Sequence, residues 1–173
     1  SFWGLVASVL QSIFLSLFFI ILARKYDTAE FANYILASSI YQIVVSFSSM
    51  GLGQWFIREY KSRDDKVAFL NKFFKIQVYL AIFFFLGYIV AGFALYPNNE
   101  IRYLIILLGL NILFDNLIYS FRNLNIAEST QSITAQILFL DGLFKFLISC
   151  ILFIYPLRIE ILSILLILVR FFT

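Results

Sequence analysis

Apolar stretches of about 20 residues, separated by short clusters of charge, recur along the whole chain. An α-helix rises 1.5 Å per residue, so a stretch of about 20 residues crosses the roughly 30 Å hydrocarbon core of a bilayer. None of these stretches has a polar residue at every second position, as a transmembrane β-strand would. The sequence therefore predicts an all-α fold, a polytopic bundle of about six transmembrane helices at residues 2–23, 31–57, 76–96, 103–121, 131–155 and 161–173.

The composition excludes a soluble domain and several kinds of chemistry. The chain is 62% hydrophobic and 13% charged, against about 45–50% apolar and about 25% charged in soluble domains. A net charge of +3, carried beside apolar segments, argues against nucleic acid as a partner and for membrane lipids as the surroundings. With no His and a single cysteine, Cys150, in an apolar run, we expect no cofactor, metal site, disulfide or imidazole-based catalysis.

The basic residues predict how the chain is oriented in the membrane, and the chain ends predict that it is part of a longer protein. By the positive-inside rule, the most basic connection faces the cytoplasm and the N-terminus lies on the same side. The chain starts at Ser1 and stops within an apolar run at Thr173, so we expect a piece of a longer protein, truncated at its C-terminus. The basic connection after the second predicted span carries Arg58, Lys61, Arg63, Lys66, Lys72 and Lys75, whereas the opposite connections carry Arg24, Lys25, Arg102 and Arg158.

The fifth predicted span carries two charges in its apolar interior, Asp141 and Lys145. Gln131, Thr134 and Ser149 fall on the same face of a 3.6-residue helix. A charge at mid-bilayer costs about 2.5–3.5 kcal/mol, so this face should meet protein or a water-filled cavity. The spacing i, i+4 allows Asp141 and Lys145 to pair within the helix. Two interpretations remain open, a neutralised structural pair and the lining of a transport lumen.

The fourth predicted span has a comparable polar face, formed by Asn111, Asp115, Tyr119 and Arg122. A second acid deep in the membrane supports a polar pathway through the bundle. Asp115 could instead neutralise Lys145 or Arg122 across a helix interface, or carry a proton, because burial raises the pKa of a carboxyl group. The sequence leaves these three roles open.

Small and polar residues recur at helical spacing on the first two predicted spans. Small residues let helices approach closely, so close packing is one interpretation and a lumen lining is the other. Gln42 and Gln11 are larger than close packing needs, and Arg58 at the end of the second span has the position of an interfacial, snorkelling arginine. The recurring residues are Gly4, Ser8, Ser12 and Ser16 on the first span and Ser39, Gln42, Ser46, Ser49 and Gly53 on the second.

Two segments, Ala23–Tyr34 and Met50–Glu59, resemble the opening of bacterial O-antigen and polysaccharide flippases. The matching words are Ala-Arg, Glu-Phe-Ala-Asn-Tyr and Met-Gly-Leu-Gly-Gln-Trp-Phe-Ile-Arg-Glu, all within roughly the first 60 residues. These flippases belong to the multidrug/oligosaccharidyl-lipid/polysaccharide exporter superfamily, whose members have about twelve helices in two six-helix lobes. The resemblance implies that this chain is an N-terminal lobe whose partner is a C-terminal lobe of the same protein.

The same resemblance implies a transporter and not an enzyme. Such proteins move undecaprenyl-pyrophosphate-linked oligosaccharides across the bacterial inner membrane by alternating access, and cationic residues in the central cavity hold the anionic lipid carrier. Arg58 matches the Arg-Glu pair at the end of the second helix, and Lys145 is the best basic candidate for the cavity, although Asp141 beside it departs from a purely cationic lumen. The candidate substrate-binding or lumen residues are Gln42, Arg58, Asn111, Asp115, Arg122, Asp141 and Lys145.

Three functions from other classes make different use of these residues. A cation-coupled multidrug antiporter of the same fold would use Asp115 or Asp141 as its coupling acid. A structural membrane subunit would tolerate joint replacement of Asp141 and Lys145 by apolar residues. Asp141-Gly142 is similar to the opening of the CDP-alcohol phosphotransferase signature, but Phe144-Lys145 stands where that signature needs Ala-Arg, and its later acids are missing.

Overall fold

The computed structural model describes the backbone of residues 2–172 and the side chains of residues 6–172. Across residues 2–172 the secondary structure is helical with no strand, which confirms the predicted all-α fold. The seven helices in this range are α1 (Phe2–Lys25), α2 (Thr28–Ser48), α3 (Leu52–Ser62), α4 (Lys66–Leu95), α5 (Asn99–Ala127), α6 (Gln131–Ile151) and α7 (Ile159–Phe172).

Five helical stretches are long and apolar enough to cross a membrane, which makes the chain a multi-pass membrane protein by length and composition. The last helix, α7, has 14 residues up to Phe172, so the predicted sixth span is a helix in the structure. The five stretches are Val6–Lys25, Thr28–Ser62, Lys66–Leu95, Asn99–Ala127 and Gln131–Ile151.

The second predicted span, residues 31–57, is two helices and not one. Between α2 and α3 the chain passes through left-handed conformations at Met50 (φ 49°) and Gly51 (φ 67°). Gly51 has no Cβ and so adopts this conformation without strain. The uninterrupted apolar character of this segment made it look continuous, although Gly51 is a typical residue for ending a helix.

Other helix ends also differ from the charge-free stretches that predicted them. Helix α4 begins at Lys66, ten residues before the predicted residue 76, and α5 extends to Ala127 instead of 121. Helices continue past the hydrocarbon core into the interface and water, where charged side chains are tolerated. Helix α6 ends at Ile151 instead of 155, because a turn over residues 152–155 precedes Pro156.

The helices run up and down, so their connections gather at two ends of the bundle. At the Tyr26 end, which holds the α1–α2, α4–α5 and α6–α7 connections, the Tyr26 hydroxyl donates to the Leu157 carbonyl at 2.9 Å. At the Tyr60 end, which holds the α3–α4 and α5–α6 connections, the Tyr60 hydroxyl donates to Glu128 Oε1 at 2.8 Å. Helix α1 packs on α6, and α4 packs on α5. Helices α2 and α3 also pack on α5, and α7 contacts both α5 and α6.

Two apolar clusters hold these helices together. The larger cluster joins α1, α2, α4, α5 and α7 around fully buried Leu22, Ile105 and Leu162. The smaller cluster lies at the Tyr60 end, where the Phe56 ring of α3 stacks on the Phe73 ring of α4 at 4.1 Å between centroids. Helices α1 and α6 cross closely at Gly142, where a Cβ would lie 3.2 Å from the Gln11 Cα.

Candidate functional site

A cavity of about 670 Å³ lies between α1, α2, α5, α6 and α7. Its rim includes the exposed side chains of Gln42, Phe121 and Arg122, so the cavity is open to the outside of the bundle. Polar residues from several helices line its interior. Six of the seven candidate residues are among them: Gln42, Asn111, Asp115, Arg122, Asp141 and Lys145.

Four charged side chains meet on one side of this cavity and form the charge cluster of Asp115, Asp141, Lys145 and Arg170. Lys145 Nζ donates to Asp141 Oδ2 at 2.8 Å. Arg170 Nη1 lies 3.1 Å from Asp141 Oδ1, and its Nε donates to Asp115 Oδ1 at 2.7 Å. The second Asp115 oxygen accepts a hydrogen bond from the Tyr41 hydroxyl. The cluster thus ties α2, α5, α6 and α7 together.

The charge cluster is buried in the bundle and electrically balanced. Asp141 is 1% exposed and Asp115 9% exposed, while the side chains of Lys145 and Arg170 keep about a fifth of their surface exposed. Two carboxylates and two cations sum to zero, and their mutual attraction offsets part of the penalty for burying each of them in a low-dielectric interior. The acids and the lysine therefore face protein and the cavity, as the cost of a lipid-exposed charge requires.

The cluster answers part of what the sequence left open. The predicted pairing of Asp141 with Lys145 within α6 is present. Asp115 pairs with Arg170 of α7, whereas Lys145 and Arg122 were the partners considered in one of the three roles that the sequence left open. Lys145 therefore lines the cavity as a neutralised group, so the interior beside it is not purely cationic.

Sequence reasoning missed Arg170. It stands near the end of an apolar run, where an arginine is typical of a helix end at the interface. The signal that pointed to it was the charge count: two intramembrane acids, Asp115 and Asp141, faced a single intramembrane lysine. An acid without a cation in the bundle indicates that another basic residue completes the balance.

Arg122 and Arg58 differ in their relation to the cavity. Arg122 is exposed at the cavity rim toward the Tyr60 end, and its side chain forms no ion pair or hydrogen bond with residues 6–172. Arg58 is exposed on α3 and does not line this cavity, and its expected contribution to a lumen stays a prediction. Helix α3 buries Gly53, Phe56 and Tyr60, and two residues beyond Phe56 the helix presents its opposite face.

The stripes of small residues divide between the two roles that the sequence left open. Gln11, Gln42, Ser46 and Ser49 line the cavity. Gly53 serves close packing, since its backbone N–H donates to the Tyr119 hydroxyl at 3.0 Å.

The α1 stripe shows a further pattern. Ser12 and Ser16 are exposed, and their hydroxyls donate to carbonyls of their own helix at 2.9 Å and 2.8 Å. A serine bonded in this way satisfies its polar group without a partner helix. Gly4 belongs to residues 2–5, whose packing lies outside the described part of the chain.

Hydrogen-bonding side chains are spread along the cavity wall. Amide and hydroxyl groups of Gln42, Ser46, Asn111 and Thr134 offer hydrogen bonds at several heights of the cavity. Within the described residues, no three His, Cys, Asp or Glu side chains come together as a metal-binding group. The chain matches no protein-family profile, no curated protein and no solved structure.

Proposed function

We propose that this chain is one lobe of a transporter that moves an undecaprenyl-pyrophosphate-linked oligosaccharide across the bacterial inner membrane by alternating access. Its likeness to polysaccharide flippases in Ala23–Tyr34 and Met50–Glu59 suggests the substrate. The observation that carries the proposal is the open cavity of about 670 Å³, with polar and charged side chains among its apolar lining, inside a bundle of helices long enough to span a membrane.

The cavity lining fits the head group of such a lipid. A sugar hydroxyl that enters hydrocarbon loses its hydrogen bonds to water, at a cost of several kcal/mol. Gln42 of α2, Asn111 of α5 and Thr134 of α6 offer replacement partners along the cavity wall. The polyprenyl tail stays in the lipid, since the cavity is open on one side of the lobe.

The charges of the cavity favour a role for Arg122 in holding the phosphate. The charge cluster is internally neutral, so it adds little net attraction for an anion. The guanidinium of Arg122 at the rim is unpaired among residues 6–172, and a guanidinium group binds phosphate oxygens through two parallel hydrogen bonds. Lys145 lies deeper and is engaged by Asp141 at 2.8 Å. In this proposal Arg122 is the first cation that the pyrophosphate meets.

The proposed orientation places the Tyr60 end in the cytoplasm, together with the N-terminus. The connection at that end carries Arg58, Lys61, Arg63 and Lys66, and the positive-inside rule assigns such a connection to the cytoplasm. A substrate made on the cytoplasmic side then reaches Arg122 before it reaches the charge cluster. Rocking of this lobe against the second lobe exposes the cavity to the other side.

The test compares Arg122→Ala, Arg122→Lys and Arg58→Ala in cells that depend on the full-length protein for surface polysaccharide. We expect Arg122→Ala to lower surface polysaccharide at least tenfold at unchanged protein level, because a charged hydrogen bond contributes about 1.5–3 kcal/mol. Arg122→Lys should keep part of the activity, and Arg58→Ala, the matched exposed arginine, should keep all of it. Full export by Arg122→Ala would contradict the proposal.

The buried acids favour a second candidate function, a cation-coupled multidrug antiporter. Asp115 and Asp141 both line the cavity, as coupling carboxylates do in proton-driven transporters. This function predicts that Asp115→Asn abolishes drug efflux driven by a pH gradient while surface polysaccharide is unaffected. The flippase proposal predicts no drug resistance from the wild-type protein.

A further inference from the structure

A buried amide side chain without a hydrogen-bond partner lies on α4. Gln77 is 0% exposed, and neither its Nε2 nor its Oε1 has a partner among the described residues. A buried polar group in this state costs about 1–3 kcal/mol, so a molecule or ion that satisfies it would be bound with a clear gain.

Gln77 lies level with the break between α2 and α3. On the same face of α4, the Phe73 ring stacks on Phe56 of α3 at 4.1 Å, and the Tyr88 hydroxyl donates to the Ala37 carbonyl of α2 at 3.1 Å. Gln77 is four residues, or about 6 Å, from Phe73 in the direction of Tyr88. On α3, four residues, again about 6 Å, separate Phe56 from Leu52, the first residue of that helix. Leu52 directly follows the break, so Gln77 lies at the height of the break.

A second buried amide approaches the break from α5. Asn116 is 2% exposed, and its Nδ2 donates to the Oγ of Ser48, the last residue of α2, at 2.8 Å. The Asn116 Oδ1 is buried without a partner. One turn further along α5, the fully buried Ser120 hydroxyl donates to the Asn116 carbonyl at 2.9 Å and keeps its own lone pairs free to accept.

Two of the three unsatisfied atoms at this level are acceptors. They are Gln77 Oε1 and Asn116 Oδ1, beside the donor Gln77 Nε2, and the carboxyl end of α2 adds the negative end of a helix dipole. The two oxygens and the helix end together favour a cation. Because its ligands are neutral oxygens, a monovalent ion fits better than Ca²⁺ or Mg²⁺, which take carboxylates. Carbonyls at the ends of broken helices coordinate Na⁺ in other membrane transporters.

We propose that Na⁺ binds at the α2–α3 break between Gln77 Oε1, Asn116 Oδ1 and the last carbonyls of α2. Ser48 and Asn116 also line the cavity, so the proposed site borders the cavity. Bound there, Na⁺ fixes the bend between α2 and α3 against α4 and α5. The site does not depend on what the cavity transports.

The experiment measures the thermal unfolding of the purified full chain in detergent, in NaCl and in choline chloride of equal ionic strength. A ligand that binds the folded state raises Tm with its concentration. We expect Na⁺ to raise Tm saturably by about 5 °C or more, and K⁺ to raise it less. Gln77→Leu should abolish the Na⁺ dependence, whereas Gln54→Leu, the same replacement at an exposed position of α3, should keep it.

The alternatives to a bound ion give different results. If a water or nothing fills the site, the wild-type Tm is equal in both salts and Gln77→Leu raises it, because an unsatisfied amide has been removed. A Na⁺ effect that persists in both Gln77→Leu and Asn116→Ser would place the ion elsewhere. Either result overturns the proposal. Should Gln77→Leu fail to fold, binding of ²²Na⁺ by Asn116→Ser decides, with loss of binding expected. None of these readouts requires transport, so they are independent of the proposed function.

Discussion

Arg170 of α7 and Asp141 of α6 are joined by an ion pair of 3.1 Å in the interior of the bundle. They are 29 residues apart in the sequence, on consecutive antiparallel helices, and the same guanidinium also binds Asp115 of α5. This double pairing attaches α7 to both α5 and α6 through buried charges.

Arg170→Ala should destabilise the protein strongly. The replacement leaves Asp115 and Asp141 with Lys145 as their single cation, and breaking a buried pair from one side costs about 3–5 kcal/mol. We expect a Tm at least 5 °C lower in detergent. The double variant Arg170→Ala/Asp115→Asn restores neutrality and should recover much of that loss. An unchanged Tm in Arg170→Ala would show that the cluster does not stabilise the fold.

The pair of Asp141 and Lys145 should matter for transport beyond its effect on stability. Lys145→Met leaves the cluster with a net negative charge, so both Tm and surface polysaccharide should fall. Asp141→Asn/Lys145→Met is neutral again, and we expect it to recover Tm but not export, because the cavity wall has lost the charges of Asp141 and Lys145. Export at the wild-type level in the double variant would favour a purely structural pair.

Gly142→Val should separate α1 from α6. A Cβ at Gly142 would lie 3.1 Å from Gln11 Cγ and 3.2 Å from Gln11 Cα, and a backbone atom cannot move without shifting α1. Overpacking of this kind costs about 1–3 kcal/mol, seen as a lower Tm and weaker expression. Gly87→Ala is the control, because nothing lies within 4 Å of a Cβ there. It should be neutral or stabilising by up to about 1 kcal/mol, and equal effects at both glycines would refute the close crossing.

Ionisation of the Tyr26 hydroxyl should make the stability of the protein depend on pH. Burial, with the nearby Glu30 and Glu160 carboxylates, raises the pKa of Tyr26 to about 12. A raised pKa in the folded state means that the stabilising contribution is complete below pH 10 and is lost as the pH rises through about 12.

Tyr26→Phe removes the hydrogen bond to the Leu157 carbonyl and should cost about 1 kcal/mol at pH 8. Thermal unfolding between pH 8 and pH 12 is the measurement. The difference in Tm between wild type and variant should shrink toward pH 12, and a difference that grows with pH would contradict the assignment.

The sequence could predict the helical fold and most of the cavity for clear physical reasons. Hydrocarbon thickness sets the length of the apolar runs. Because a charge exposed to lipid is costly, Asp115, Asp141 and Lys145 were expected in the interior of the bundle. It could not predict which cation meets which acid, because that depends on how α7 lies across α5 and α6. The partner of Asp115 is therefore visible only in three dimensions.

The break at Met50–Gly51 shows a second limit. Hydropathy is insensitive to backbone conformation, so an apolar segment with a left-handed turn resembles a continuous span. The break also determines where Arg58 lies. Because α3 is a separate helix that buries its Phe56 and Tyr60 face, Arg58 lies outside the cavity. In the sequence, Gly51 was the local signal for a helix end. That Met50 before it also adopts a left-handed conformation is visible only in the structure.

Accessibility to a water-soluble thiol reagent is the most direct test that this interior is wet. In a Cys150→Ala background, single replacements Ser46→Cys and Gln42→Cys place a thiol on the cavity wall, and Phe83→Cys places one on the lipid-facing surface of α4, where Phe83 is 71% exposed. In membranes, a charged, membrane-impermeant thiol reagent should label Ser46→Cys and Gln42→Cys quickly and leave Phe83→Cys unlabelled. Unlabelled cavity positions beside a labelled Phe83→Cys would contradict a hydrated cavity that shelters these charges from lipid.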